Sequence, residues 1–145
     1  MGFHPPSDAT IRDILSAPRR IALVGASGKP WRDSHHVMAF LLCHGHDVTP
    51  VNPILAGETI HGRLVVADLA EAAPPGLSLE LVDVFRASRY VGGVVDDAIQ
   101  LGARIVWLQL GVIDQEAAER ARAAGLIVVM DRCPVIEARR LGLDH

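Results

Sequence analysis

The residues most able to do chemistry lie in four short segments, each of which follows an apolar run. The first is Gly25-Ala26-Ser27-Gly28-Lys29-Pro30-Trp31-Arg32-Asp33-Ser34. Gly25, Ala26 and Ser27 are small, so backbone N–H groups there can approach phosphate oxygens. Ser34 is placed to cap a following helix, whose N-terminus adds partial positive charge. Lys29 and Arg32 add full charges, and a guanidinium can grip two oxygens at once. A plain strand–helix turn with solvated basic residues shares some of these features. Small residues, a helix start and two cations together favour an anion site. The segment is not a Walker loop, which needs Gly-Lys-Ser/Thr at a fixed offset. Nor is it a full dinucleotide fingerprint, because Ser27 stands where the second glycine belongs.

The second segment, Pro50-Val51-Asn52-Pro53, has two prolines that fix the backbone and remove donors. It makes a rigid ledge able to pack an adenine face, or a simple strand exit. Asn52 can accept a ribose hydroxyl without repelling a phosphorylated ribose. The acid that NAD sites place near the end of the second strand is missing from this segment. The third segment is Asp83-Val84-Phe85-Arg86. Phe85 and Arg86 can supply apolar contact and a cation to a nucleotide pocket, or serve as a core phenylalanine and a surface arginine. In the fourth, Trp107-Leu108-Gln109-Leu110-Gly111-Val112, Gln109 is polar inside an apolar run and needs a partner. Gly111 permits close backbone approach, and Trp107 reads as core.

Other chemistries lack a constellation. The 7 histidines are scattered, and none makes a metal spacing. There is no Gly-x-Ser-x-Gly elbow and no recognisable acid pair, so no catalytic residue and no metal ligand is assigned. Cys43 falls on the apolar side of a helical pattern and reads as an inert buried thiol. Cys133 lies at a strand end before a helix and beside Arg132, a place that favours a thiolate, but no base or acid partner is evident.

The elements that must position these segments alternate. Ser7 and Asp8 open an amphipathic helix with Ile11, Ile14 and Leu15, stopped near Pro18. Residues 20–24 form a buried strand. Ser34 caps a helix to about His44, with Val37, Met38, Leu41 and Leu42 inward, and Gly45 ends it. Strands are expected at 47–51, 79–85, 104–108 and 126–130. Between them Ser88 caps a helix carrying Val91, Val94, Val95, Ala98 and Ile99, closed by Gly102. Asp114 caps another, with Glu116 early and Arg120 and Arg122 late, as the helix dipole favours; Gly125 closes it. Pro134 opens a last helix to about Leu141. Residues 54–76 are mixed, with a short strand near 64–66 and a helical turn near Leu69, and no role is assigned there. Continuous apolar strands alternating with helices predict an α/β fold, a Rossmann-like three-layer domain with a mainly parallel five-stranded sheet. In such sheets ligands bind beyond the carboxyl ends of the strands, where all four segments fall.

The 145 residues fit one domain, with residues 1–6 expected to be a flexible tail. The formal net charge of −3 offers no global field for nucleic acid or an anionic membrane. No apolar run is long enough to span a bilayer, and the N-terminus does not read as a signal peptide. Two cysteines in no metal or CxxC spacing suit a reducing compartment, so a cytoplasmic location is expected. Lys29 is the only lysine, a bias of composition first. A homodimer is open, as is any protein partner.

Taken in order, Val24-Gly25-Ala26-Ser27, Arg32-Asp33-Ser34, Pro50-Val51-Asn52-Pro53, Val82-Asp83-Val84-Phe85-Arg86, Trp107 to Val112 and Met130-Asp131-Arg132-Cys133-Pro134 closely resemble the small stand-alone bacterial and archaeal CoA-binding proteins. These are similar to the N-terminal nucleotide domain of the succinyl-CoA synthetase alpha subunit. The likeness runs from about Ile11 to Leu141. It implies a Rossmann-like fold that binds coenzyme A or acyl-CoA. It implies that the loop from Gly25 to Ser34 holds the CoA phosphates, that Asn52-Pro53 and Val84-Phe85-Arg86 flank the adenosine, and that the Gln109 to Val112 segment lies near the pantetheine arm. One departure is Ser34-His35, where family members often carry Ser-Tyr. The ligase's second domain, with its phosphorylated histidine, is not expected in a chain of this length, so acyl-CoA synthesis is not implied. A non-catalytic CoA-binding module is therefore the leading expectation. The alternatives are a CoA- or nucleotide-dependent enzyme using Cys133 or an acid such as Asp83, an NAD(P)-binding protein, and a partner subunit with a vestigial pocket.

Overall fold

A computed structural model describes residues 5–73 and 75–144. Of the expected flexible tail, residues 1–4 lie outside the described residues, and Pro5 and Pro6 have no regular structure. The element order is α1 (Asp8–Ser16), β1 (Arg20–Val24), α2 (Asp33–Cys43), β2 (Asp47–Val51), β3 (Thr59–Ile60), β4 (Arg63–Leu64) and β5 (Leu81–Val84). A 3₁₀ turn (Ser88–Tyr90) then leads into α3 (Val91–Gln100), β6 (Ile105–Leu108), α4 (Gln115–Ala123), β7 (Ile127–Val129) and α5 (Pro134–Arg140).

Five strands form one sheet in the order β2-β1-β5-β6-β7, every pairing parallel. All residues of β5 and β6 are buried, as expected of strands covered on both faces. One face packs Ala22, Val82 and Val106 against α3 and α4 through Val91, Val95, Ala98, Ala117 and Ala121. The other packs Ile21, Leu23 and Trp107 against α1 and α2 through Ile11, Ile14, Val37, Met38 and Leu41, with Val135 of α5. The result is the expected Rossmann-like three-layer α/β fold. The chain passes from β1 outward to β2, then returns to the other side of β1 as β5. That reversal puts the switch in strand order between β1 and β5, where open parallel sheets form a crevice.

Several local expectations are corrected. α2 begins at Asp33, with Arg32 at the cap position and no side-chain cap, so Ser34 lies inside the first turn. Ser88 opens the 3₁₀ turn rather than capping α3; its hydroxyl accepts a hydrogen bond from the Ile113 N–H at 3.0 Å. Leu79 is buried but precedes β5, and Phe85 follows it. Cys43 is exposed, because it is the last residue of α2 and lies past the buried Val37, Met38 and Leu41. Residues 54–76 contribute the small antiparallel β3–β4 hairpin and a parallel bridge from Val66 to Val51. No helix among the described residues is long and apolar enough to cross a membrane.

Candidate functional site

Two cavities of about 500 and 510 Å³ open at the carboxyl ends of the strands. Gly25, Asn52, Ile54 and Phe85 belong to the walls of both, so the cavities adjoin across the switch point. Gly25 makes that meeting possible. Its φ is +88°, and a Cβ would lie 3.0 Å from the Phe85 carbonyl oxygen and 3.3 Å from Arg86 Cδ. A side chain here would be strained by the dihedral and would crowd the exit of β5, which would have to give by a few tenths of an ångström.

The larger cavity is lined by the first sequence segment: Gly25, Ala26, Ser27, Lys29, Arg32 and Ser34. Not all of its amides face a ligand. The Gly25 and Ala26 N–H groups both donate to the Val51 carbonyl, at 3.0 and 3.3 Å. The Lys29 N–H donates to Ser27 Oγ at 3.1 Å, which folds the loop back on itself. Lys29 and Arg32 are exposed, and neither forms an ion pair among the described residues. The start of α2 lacks the side-chain acceptor that Ser7 and Asp114 supply to α1 and α4. Its first amides are thus available to an anion.

Asn52 has a different task from the one its sequence position suggested. Its Nδ2 donates to the Ala26 carbonyl at 2.9 Å, and its Oδ1 accepts from the N–H groups of Ile54 and Leu55. With its oxygen already engaged, it positions the first loop against the exit of β2 instead of offering an acceptor to a ribose.

The second cavity is lined by Pro53, Arg86, Val94, Asp97 and by Ala67, Asp68 and Leu69. The last three come from the stretch to which sequence reasoning gave no role. They arrive because Val66 bridges to Val51, with the Asn52 N–H donating to the Val66 carbonyl at 2.9 Å. An acid, Asp68, therefore does stand beside the end of β2, supplied from a distant segment. The long separation from β2 and the lack of an apolar period hid it. Arg86 holds its guanidinium over the Tyr90 ring, 4.6 Å from the centroid.

The fourth segment is split. Gln109, Leu110 and Val112 line the larger cavity. Gln109 is buried, and its Oε1 has no hydrogen-bond partner among the described residues. Gly111 lies outside both walls, its N–H donating to Asp131 Oδ1 at 2.7 Å. Val84 is fully buried in the core and lines neither cavity. Trp107 is fully buried, with its indole N–H satisfied by the Arg132 carbonyl at 2.8 Å.

Cys133 also lies off both walls, packed against the core below α5. Arg132, which the sequence set beside it as a thiolate partner, is committed to Glu137 at 2.7 Å. Burial pushes the Glu137 carboxyl up, but hydrogen bonds from Arg140 and Arg132 outweigh it and hold the group below its usual range. Asp83 is fully buried with both oxygens unpartnered among the described residues, and burial pushes its carboxyl well above the usual range. It is aligned in the sheet with Leu23 and Trp107. Among the described residues no three His, Cys, Asp or Glu side chains gather as a metal site.

Relatives of this chain match nearly its whole length. It is 35% identical to YneT of Bacillus subtilis (strain 168) over 128 residues, 88% of this chain and 91% of that protein. A protein from Pyrococcus horikoshii OT3 superposes with a TM-score of 0.84 at 39% identity, covering 97% of this chain and 98% of the other. The Thermus thermophilus protein cell-free ID.343 gives 0.83 at 36% identity, covering 94% and 99%. Residues 19–139, which contain both cavities, match the CoA binding domain, and the chain belongs to that family.

Proposed function

We propose that this chain binds coenzyme A, or an acyl-CoA, across the two adjoining cavities and is a binding module rather than a catalyst. The observation that carries the reading is the pair of cavities meeting at Gly25 on the strand switch, in a chain of the CoA binding domain family. Their size suits small-ligand sites. The diphosphate lies against residues 25–34, where the start of α2, without a side-chain cap, and Lys29 and Arg32, in no ion pair among the described residues, offset its charge. The adenosine occupies the cavity of Pro53, Arg86, Leu69 and Val94, with Asp68 able to accept from a ribose hydroxyl or the adenine amine. The pantetheine arm runs along Gln109, Leu110 and Val112, and one of its amide N–H groups satisfies the orphaned Gln109 Oε1. The thiol of Cys133 lines neither cavity, which supports holding over catalysis.

Asp68 favours one competing ligand, a dinucleotide whose unphosphorylated ribose diol would meet an acid. Isothermal titration of nucleotide-free protein with CoA and NADH separates the two. The proposal expects CoA to bind and NADH to bind weakly or not at all. Tight NADH binding without competition from CoA would replace it with a dinucleotide reading. No binding of either would leave a partner subunit with a vestigial pocket.

A further inference from the structure

Two cations share one aromatic ring at the adenosine-side cavity, whose wall also carries Asp68 and Asp97, yet among the described residues neither cation is drawn into an ion pair. Arg86 lines that cavity, and its Cζ lies 4.6 Å from the centre of the Tyr90 ring. Arg89 lies over the same ring, its Cζ 4.9 Å from the centre. Among the described residues neither guanidinium makes an ion pair with a carboxylate.

The cluster is built into the fold. The 3₁₀ turn Ser88–Tyr90 carries Arg89 and Tyr90, closes on its own backbone and is tied at Ser88 to the segment before α4. Ser88 Oγ accepts from the Ile113 N–H at 3.0 Å, and the Tyr90 N–H donates to the Ala87 carbonyl at 2.9 Å. Arg86 reaches the ring by passing over Gly25, the position where a Cβ would lie 3.3 Å from Arg86 Cδ. The electron-rich face of a phenol attracts each guanidinium, but two like charges on one ring repel each other. An anion that accepts hydrogen bonds from both relieves the repulsion, and a doubly charged phosphate monoester does so best.

We infer that Arg86 and Arg89, positioned by Tyr90, form a second anion subsite for a terminal phosphate monoester. This rests on the CoA reading above, in which that group is the ribose 3′-phosphate. It is separate from the diphosphate site of Lys29 and Arg32, which line the other cavity. Tyr90 is a positioning residue, because it acts through the two arginines.

Isothermal titration with CoA and dephospho-CoA tests this on the parent protein and on Arg89→Gln, Tyr90→Leu and Tyr90→Phe. The parent is expected to prefer CoA by about tenfold or more, the loss typical of a removed charge-assisted contact. The ratio of the two affinities falls toward one in Arg89→Gln and Tyr90→Leu and stays near the parent's in Tyr90→Phe. Thermal unfolding checks that the variants are folded. The preference also shrinks as salt is raised. Equal binding of both ligands by the parent overturns the subsite and leaves the CoA reading standing. An unchanged ratio in folded Arg89→Gln overturns it as well. If neither ligand binds the parent, the CoA reading fails and this inference falls with it.

Discussion

The two ends of the sheet carry cavities of nearly equal size. At the amino ends of β1 and β2, a cavity of about 490 Å³ is lined by Arg19, Arg20, Asp47 and Glu80 among others. At the carboxyl ends the two cavities measure about 500 and 510 Å³. What differs is how the polar groups are partnered. At the amino end the Arg20 N–H donates to Glu80 Oε2 at 2.6 Å, and the Arg19 N–H donates to His46 Nδ1 at 3.0 Å. The Arg19 guanidinium donates to the carbonyls of Ile14 and Asp13, and Arg63 pairs with Asp47. At the carboxyl end, among the described residues, Lys29, Arg32, Arg86 and Arg89 form no ion pair, although Asp33, Asp68 and Asp97 line the same cavities, and the oxygen of buried Gln109 has no donor. The arginines at the amino end are held by polar protein partners, and among the described residues the cations at the carboxyl end are not. Volume alone would not tell the ends apart.

The largest expected effect comes from two glycines with nearly the same backbone. Gly25 has φ +88° with the Phe85 carbonyl 3.0 Å from any Cβ, and Gly45 has φ +87° with nothing within 4 Å. A left-handed alanine costs roughly 1–2 kcal/mol by itself. Gly45→Ala is expected to lower stability by about that much and leave CoA affinity unchanged. Gly25→Ala is expected to cost more and to weaken CoA binding, since β5's exit must give by a few tenths of an ångström where the two cavities meet. Thermal unfolding and titration of both proteins check this; equal loss of CoA binding in the two would erase the distinction between the ends.

Next is a pair of arginines. Arg32→Ala removes from the larger cavity a cation with no ion pair among the described residues and is expected to weaken CoA by about ten- to a hundredfold, in line with the roughly 1.5–3 kcal/mol of a hydrogen bond to a charged group. Arg20→Ala, at the opposite end, is expected to change CoA affinity little. Matching losses would mean that the anion is held elsewhere.

A third prediction concerns Asp83, buried between the ends. Its folded-state pKa lies above its unfolded value because of burial. The folded state then binds more protons than the unfolded chain above about pH 4, so stability contributed by this group falls as pH rises. The slope cannot exceed about 1.4 kcal/mol per pH unit for one group. Asp83→Asn should flatten the fall of melting temperature between pH 5 and 8. Parallel curves for the two proteins would show that the carboxyl is not protonated in the fold.

The smallest effect concerns Cys43. Its exposure predicts rapid reaction with a thiol reagent in the native protein, without loss of CoA binding. Slow labelling that requires unfolding would contradict the exposed placement.

Much of this was legible in the sequence because the strands are buried on both faces. Continuous apolar runs located β1 and β6, and the strand-end rule pointed to the first loop, Pro53, Phe85, Arg86 and Gln109. The rest depended on tertiary contacts. Ser34 and Ser88 looked like caps, but the cap position of α2 is Arg32, two residues earlier, and the Ser88 hydroxyl is claimed by Ile113. Asn52 looked free, but its amide is spent on Ala26, Ile54 and Leu55. Asp68 and Leu69 reach the cavity only through the Val51–Val66 bridge, which no local period announces. Val84 and Gly111, adjacent in sequence to cavity residues, turn into the core and toward Asp131.

Hydrogen exchange of the backbone amides with and without CoA tests the location of binding most directly, because it reads both ends of the sheet at once. The account predicts slowed exchange in residues 25–36, 85–91 and 109–112, with residues 18–20, 45–47 and 76–80 unchanged. Protection confined to the amino end, or none anywhere while CoA is bound, would contradict it.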